Sequence, residues 1–187
     1  MAALSPTHRW RVLAAAWLAL FCCAGARPAA PAPEYQVKAV YLFNFGQFVE
    51  WPKAAYGAAG TPFVIGILGD DPFGNVIDNV VHGETLAGHP LVVKRFREAE
   101  EVDGCNILFM GRSEAPRLER TLRALRGRHI LTVTDFAGVE SQAAIITLLT
   151  ENNRIRMRIN VAEARANELV ISSKLLRPAE VIGNEGS

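Results

Sequence analysis

Short runs of mostly apolar residues, each bounded by turn-forming residues, constrain the fold of this chain more than any other feature. They are Phe63–Leu68 and residues 105–110 and 130–134. A strand that is apolar on both faces has to be covered on both sides, as the strands of a parallel sheet are. A further strand is predicted over residues 91–96, and helical patterns over residues 72–81 and 113–125 separate these strands. The sequence therefore predicts an α/β fold, a three-layer sandwich with a mainly parallel central sheet.

A hairpin is predicted towards the end of the chain. Residues 143–150 and 155–159 have strand patterns. The connection between them, residues 151–154, contains two asparagines, which suit a tight turn with positive φ. The sheet should therefore carry an antiparallel edge hairpin.

The second strand of this hairpin alternates arginine with apolar residues. The alternation places Arg154, Arg156 and Arg158 on one face of the strand. One interpretation is a solvent-facing edge that uses charge to resist aggregation. The other is a binding site for a small anion or an acidic partner.

The residues after the hairpin predict a capped helix and an apolar tail. Asn160 and Glu163 have the spacing of a capping box, with a helix ending near Asn167. An apolar segment, residues 169–176, follows and contains two serines. Pro178 should kink or restart the terminal helix.

The helix predicted over residues 34–50 has an unusually wide apolar band. Its main face consists of Val37, Val40, Tyr41, Phe45 and Phe48, widened by Leu42 and Phe43. So wide a band indicates burial on two sides, by the core and by a partner. For this helix and for residues 169–176, the residues alone support core packing and protein docking equally.

The first 26 residues have the pattern of a secretory signal peptide. Arg9 and Arg11 precede an uncharged apolar run, and cleavage is expected after Ala26. An uncleaved anchor and a lipoprotein signal are the two alternatives. Residues 27–33 are rich in Ala and Pro and predict a disordered leader, which leaves residues 34–183 as a single domain.

Composition and motifs argue against several classes of function. The 20 basic and 19 acidic residues nearly cancel, so no basic surplus points to nucleic acid. The loop after the first strand, residues 69–74, lacks the spacing of a dinucleotide-binding loop, and the surroundings of His82 and His89 lack the ligand spacing of a metal site. With no nucleophile motif either, we predict no catalytic residues, no metal and no cofactor, and hence no enzyme.

Cys105 is the only cysteine after the predicted signal peptide. The mature domain therefore has no internal disulfide. We interpret Cys105 as a small buried hydrophobe beside a strand, with a reactive thiol or an intermolecular bridge as the alternatives.

The ordered set of motifs resembles the YfiR family of periplasmic proteins. The matching segments are residues 37–45, 48–52, 67–69, 72–73, 105–110, 130–135, 154–160 and 171–176. Together they span nearly the whole mature domain, and the last two are the most specific.

The resemblance implies a periplasmic repressor without enzymatic activity. Such a protein binds the periplasmic sensor domain of an inner-membrane diguanylate cyclase and lowers cyclic-di-GMP signalling. An OmpA-like outer-membrane lipoprotein can sequester the repressor, and family members tend to form homodimers. Many relatives have a second cysteine that can pair with the one matching Cys105; Gly66 stands at that position here, so redox control through the pair should be absent.

The partner contacts are expected in the C-terminal apolar block, since its apolar residues exceed what one core face uses. The predicted contact residues are Glu168, Leu169, Ile171, Ser173, Leu175 and Leu176, with Phe48 and Trp51 as a second surface. The rival hypothesis is a periplasmic protein that binds a small ligand such as an anion or a nucleotide, either at the three arginines or at the loop that begins with Gly69.

Overall fold

The computed structural model describes residues 32–138 and 140–183. The predicted signal peptide, its cleavage site and most of the predicted leader lie outside the described residues. Everything below refers to the described part of the chain.

The described chain contains five α-helices and ten strands. The helices are α1 (Pro33–Phe48), α2 (Val76–Val81), α3 (Leu118–Leu125), α4 (Val161–Ala166) and α5 (Ser173–Leu176). The strands are β1 (Val49–Glu50), β2 (Phe63–Leu68), β3 (Thr85–Leu86), β4 (His89–Phe96), β5 (Ile107–Met110), β6 (Leu131–Thr134), β7 (Ile146–Glu151), β8 (Arg154–Asn160), β9 (Val170–Ile171) and β10 (Glu180–Ile182).

Eight of these strands form one mostly parallel sheet in the order β10-β8-β7-β6-β5-β2-β4-β3. The pairs β7–β8 and β3–β4 are antiparallel, and the other five are parallel. Helices lie on the sides of this sheet, and β1 and β9 form a separate antiparallel pair. The predicted α/β fold with a mainly parallel sheet is confirmed.

The central strands are buried on both faces, which explains their continuous apolar runs. In β2, Phe63, Ile65 and Ile67 belong to the core under α1 and α2. Val64 and Leu68 belong to the opposite core, under α3. A six-residue strand with no exposed position needs cover on both faces, so the apolar run predicted a layer on each side of the sheet.

The buried face of α1 differs from the predicted one. Lys38, Ala39, Leu42 and Phe45 are buried, whereas Val37 and Val40 are exposed. The helix is apolar nearly all round, so its residue pattern did not determine which side faces the core. Relative to the prediction, α1 is rotated about its own axis by about one residue position, which leaves Val37 and Val40 on the surface.

The hairpin forms as predicted, but it does not lie at the edge of the sheet. Asn152 and Asn153 form the turn with φ of 48° and 58°, values typical of a tight two-residue hairpin turn. β10 pairs in parallel with the outer side of β8, with Glu180 opposite Arg158. The hairpin is therefore one strand in from the edge.

The last strand also corrects the prediction for Pro178. The terminal helix α5 ends at Leu176, and the chain continues after Pro178 as the extended strand β10. Proline has no backbone N–H and cannot continue a helix. Here it ends the helix, and pairing with β8 fixes the residues that follow.

Candidate functional site

The end of α1 and the C-terminal block form one surface in the structure, although the sequence presents them as two. β1 and β9 pair antiparallel, with Val49 opposite Ile171 and Glu50 opposite Val170. The amide of Ser172 donates a hydrogen bond of 3.0 Å to the carbonyl oxygen of Phe48. Two segments more than 100 residues apart in the chain are thus joined by backbone hydrogen bonds.

The local sequence explains how the C-terminal block enters this pair. Glu168 has φ of 57° at the end of α4. Its amide donates to the carbonyl of Arg165, and that of Leu169 donates to the carbonyl of Ala164. This pair of bonds is a Schellman motif, which reverses the chain and turns the next apolar residue inward. Leu169 is buried as a result, and Val170 points outward.

The predicted contact residues fall into two groups. Leu169, Leu175 and Trp51 lie in the core, where no partner reaches them while the domain is folded. The others are accessible or partly so: Glu168, Ile171, Ser173, Leu176 and Phe48.

Val170 is an exposed residue that the sequence analysis did not single out. Its exposed fraction of 60% exceeds that of the exposed valines Val37 and Val40 on α1. The sequence did contain a sign of this exposure. Successive residues of a strand face opposite sides, so a buried Leu169 places Val170 on the outer side. We define the ribbon surface as Phe48, Glu168, Val170, Ile171, Ser173 and Leu176.

Lys174 adds a positive charge to the ribbon surface. Its ammonium group lies 5.4 Å from the centre of the Phe48 ring, within the range of a cation–π contact. Ser172 caps α5, since its hydroxyl accepts from the amide of Lys174 at 3.3 Å. This cap fixes the direction of the short helix, with Leu175 inward and Ser173 outward.

The three arginines of β8 share one face, as the alternation predicted. Met157 and Ile159 face the core, while Arg154 and Arg156 are exposed and Arg158 is partly buried. Arg156 pairs with Glu151 at 3.1 Å, and Arg158 pairs with Glu180 at 3.1 Å.

A buried ionic cluster at the carboxyl end of β6 was not predicted. The Lys38 ammonium lies 3.0 Å from the Asp135 carboxylate, and both side chains are almost fully buried. The Tyr35 hydroxyl donates to the same carboxylate oxygen at 2.9 Å. Burial, reinforced by the negative charge of Asp135, raises the pKa of Tyr35, so this hydroxyl remains a donor.

This cluster attaches α1 to the sheet. Lys38 and Tyr35 come from the first turns of the helix, and Asp135 directly follows β6. The only sign of this cluster in the sequence was Lys38, a lysine within an apolar helix. The lysine gave no information about its partner Asp135, which is 97 residues away.

Cys105 is buried, as predicted, and its thiol is unsuited to nucleophilic chemistry. Its sulfur lies 3.0 Å from the carbonyl oxygen of Ile107. Burial raises the pKa of the Cys105 thiol to about 12, so hardly any reactive thiolate forms near neutral pH. Over residues 32–138 and 140–183, His, Cys, Asp and Glu side chains form no group of three that could hold a metal ion.

Comparison with known families identifies the domain. The model of the YfiR/HmsC-like family matches residues 35–180. The chain belongs to the YfiR/HmsC-like family. A search of curated proteins finds no match.

The YfiR/HmsC-like match covers the ribbon surface, the arginine residues of β8 and the buried ionic cluster. It begins at Tyr35 of the buried cluster and ends at Glu180, the ion-pair partner of Arg158. The family is one of periplasmic regulators rather than enzymes, in agreement with the class that the sequence resemblance implied. In the described residues, no helix is both long and apolar enough to cross a membrane.

Proposed function

We propose that this protein is a periplasmic repressor that binds the sensor domain of an inner-membrane diguanylate cyclase and lowers cyclic-di-GMP signalling. Family membership supports the regulatory class. The observation that carries the proposal further is the ribbon surface, where Val170 exposes 60% of its area and Phe48, Ile171 and Leu176 are partly exposed. Apolar residues grouped on a surface are typical of protein contact sites.

The ribbon surface suits docking because its backbone is already ordered. The β1–β9 pair and the cap of α5 hold the exposed side chains before any partner arrives. Less conformational entropy is then lost on binding, which raises affinity. Repression follows if the bound sensor domain is held in its inactive conformation. The extent of repression is set by the difference in the repressor's affinity for the inactive and the active conformation of the sensor domain.

Secretion and regulation complete the proposal. Cleavage after Ala26 places the mature protein in the periplasm, where the sensor domain lies. An OmpA-like outer-membrane lipoprotein sequesters the repressor and relieves repression, and the repressor acts as a homodimer. These three statements rest on the sequence pattern of the signal peptide and on the resemblance to the YfiR family.

The test is a binding measurement with a charged residue placed on the ribbon surface. Val170→Glu should weaken binding to the periplasmic sensor domain of the cognate diguanylate cyclase by roughly tenfold or more, since the charge must be desolvated on docking. Isothermal titration calorimetry with the mature protein measures the change. Leu175→Glu is unsuitable because Leu175 is buried and the variant would unfold.

Val37→Glu is the matched control. Val37 is 48% exposed and lies eleven residues before Phe48 on the same helix, which is about 16 Å away along the axis. The control should bind as the wild type does. Unchanged binding by a folded Val170→Glu variant, or equal losses in both variants, would exclude the ribbon surface as the contact site.

A further inference from the structure

We propose that the arginine face of β8 (Arg154, Arg156 and Arg158) is a binding site for a small phosphate-bearing molecule. The inference concerns a different surface from the ribbon and does not depend on the proposed function. It rests on the strand order, on a recess beside the arginines, and on the state of their ion pairs.

The strand order removes the alternative explanation, edge protection, for Arg158. Charged residues on a strand protect an unpaired edge from pairing with another chain. β8 has no unpaired edge over its second half, because β7 pairs with one side and β10 pairs with the other from Arg158 to Asn160. Protection of a bare edge therefore does not explain Arg158, whereas Arg154 and Arg156 lie in the half of β8 that β10 does not cover.

A recess of about 390 Å³ lies beside the arginine face. This volume falls within the range of small-molecule sites. Apolar side chains on the arginine side of the recess come from Leu149, which lies opposite Arg156 in β7, and from Pro178 in the loop before β10. A molecule with one anionic group and an organic body would find cations and apolar surface in the same place.

The ion pairs of the arginine face leave donors available. Glu151 and Glu180 are both more than half exposed, and ion pairs in such positions contribute little to stability, so an incoming anion displaces them easily. Arg154 forms no salt bridge with any other described residue, and the Nε of Arg158 is buried without an acceptor in the described structure. Guanidinium groups without acceptors are the groups that recognise oxyanions.

The spacing of the arginines favours phosphate over carboxylate. Alternate residues of one strand are roughly 6.6 Å apart, so two neighbouring guanidinium groups can reach a single anion. A carboxylate has two oxygens, which one guanidinium group satisfies in bidentate fashion, whereas a phosphate monoester has three terminal oxygens and accepts from two arginines.

Phenyl phosphate is the probe for this site, with benzoate as the carboxylate of matched size. Calorimetry at constant ionic strength should show saturable binding of phenyl phosphate to the mature protein, and weaker binding of benzoate. In the double variant Arg154→Gln/Arg156→Gln, affinity for phenyl phosphate should fall by roughly tenfold or more, because both exposed guanidinium groups are lost.

Arg123→Gln provides the matched control. Arg123 on α3 is 73% exposed and pairs with Glu119, much as Arg156 is 72% exposed and pairs with Glu151. The control should retain wild-type affinity, which separates a built site from general loss of positive charge. Thermal unfolding of each variant verifies the fold, and Arg156→Lys, which keeps the charge but loses the bidentate geometry, gives a milder second variant.

Three results would overturn the proposal. The first is absence of saturable binding at millimolar phenyl phosphate. The second is an equal loss of affinity in the double variant and in Arg123→Gln, or no loss in a folded double variant. The third is binding of benzoate as tight as that of phenyl phosphate.

Discussion

Gly66 shows at the scale of one residue how closely the layers of this domain pack. A Cβ atom at this position would lie 2.7 Å from the sulfur of Cys105, 2.8 Å from Phe96 and 2.9 Å from Leu108. Such distances are shorter than van der Waals contact, so the strand approaches its neighbours only because the residue is glycine. The structure therefore imposes a packing requirement at this position.

Gly66→Ala should lower the free energy of unfolding by about 1–3 kcal/mol, since extra volume in a filled core displaces its neighbours. Urea denaturation measures the difference. Gly111→Ala is the control, because its Cβ would meet no atom closer than 3.5 Å and its φ of −79° suits any residue. Equal losses in the two variants would contradict the packing argument.

Cys105 should make stability depend on pH in the alkaline range. Its pKa is about 12 in the folded state and about 8.5 in an unfolded chain. Between these values the unfolded state binds fewer protons than the folded state, so this contribution to stability is complete below about pH 8.5 and is lost as the pH rises towards 12.

Comparison with Cys105→Ala isolates this effect from other titrating groups. From about pH 8 to pH 10, the unfolding free energy of the wild type should fall relative to that of Cys105→Ala. Urea denaturation across this range measures it. A difference that stays constant with pH would show that the thiol titrates alike in both states.

At the scale of elements, the cap of α4 illustrates what short-range sequence decides. Asn160 accepts from the amide of Glu163 at 3.1 Å, as the capping spacing predicted. In a full capping box the Glu163 carboxylate would accept from the backbone amide of Asn160. It pairs instead with Arg126 at 2.9 Å. The bond from the Glu163 amide to the Asn160 side chain was therefore predictable from sequence. The partner of the Glu163 side chain was decided by Arg126, a residue at the end of another helix.

Asn160→Ala should destabilise the domain by about 1 kcal/mol or somewhat more, through loss of the cap and of the bond from its side-chain amide to Gln142. Thermal unfolding provides the readout. Asn75→Ala tests the matched position, the residue before α2, whose side chain makes no capping bond in the described structure. If Asn75→Ala costs as much, helix propensity rather than capping explains the effect.

At the scale of the whole molecule, the buried pair Lys38–Asp135 connects the first helix to the sheet. The pair spans 97 residues of sequence and lies 3.0 Å apart. A buried ion pair need not stabilise a fold, but breaking it leaves an unpaired charge in a medium that solvates it poorly. The position of α1, and with it the Phe48 end of the ribbon surface, therefore depends on both partners.

Lys38→Met should lower the free energy of unfolding by about 3–5 kcal/mol, because Asp135 then remains buried without its cation. Adding Asp135→Asn should restore part of the loss, since the amide oxygen still accepts from Tyr35 without carrying a charge. Arg123→Ala, which breaks an exposed pair, should cost at most about 1 kcal/mol. Chemical denaturation of the three variants measures these free energies of unfolding. If the double variant Lys38→Met/Asp135→Asn were less stable than Lys38→Met, the unpaired charge of Asp135 would not be the cause of the loss.

The sequence by itself determined the longer strands of the sheet and its layering. Continuous apolar runs such as Phe63–Leu68 require cover on both faces, and the asparagines of the 151–154 turn tolerate the positive φ that a tight hairpin turn requires. The alternation in β8 likewise fixed which side of the strand carries the arginines. These signals act over a few residues, where local geometry alone decides the outcome.

Tertiary structure decided the features that depend on partners distant in sequence. α1 is apolar on nearly every side, so only its contacts with the sheet chose Lys38 and Leu42 for burial and left Val37 exposed. The pairing of β1 with β9 and of β10 with β8 joined segments whose own patterns are too short to predict a strand. Burial of Leu169 and exposure of Val170 followed from the Schellman motif together with the pairing of β9, because a residue's environment is set by what packs against it and not by its own hydrophobicity.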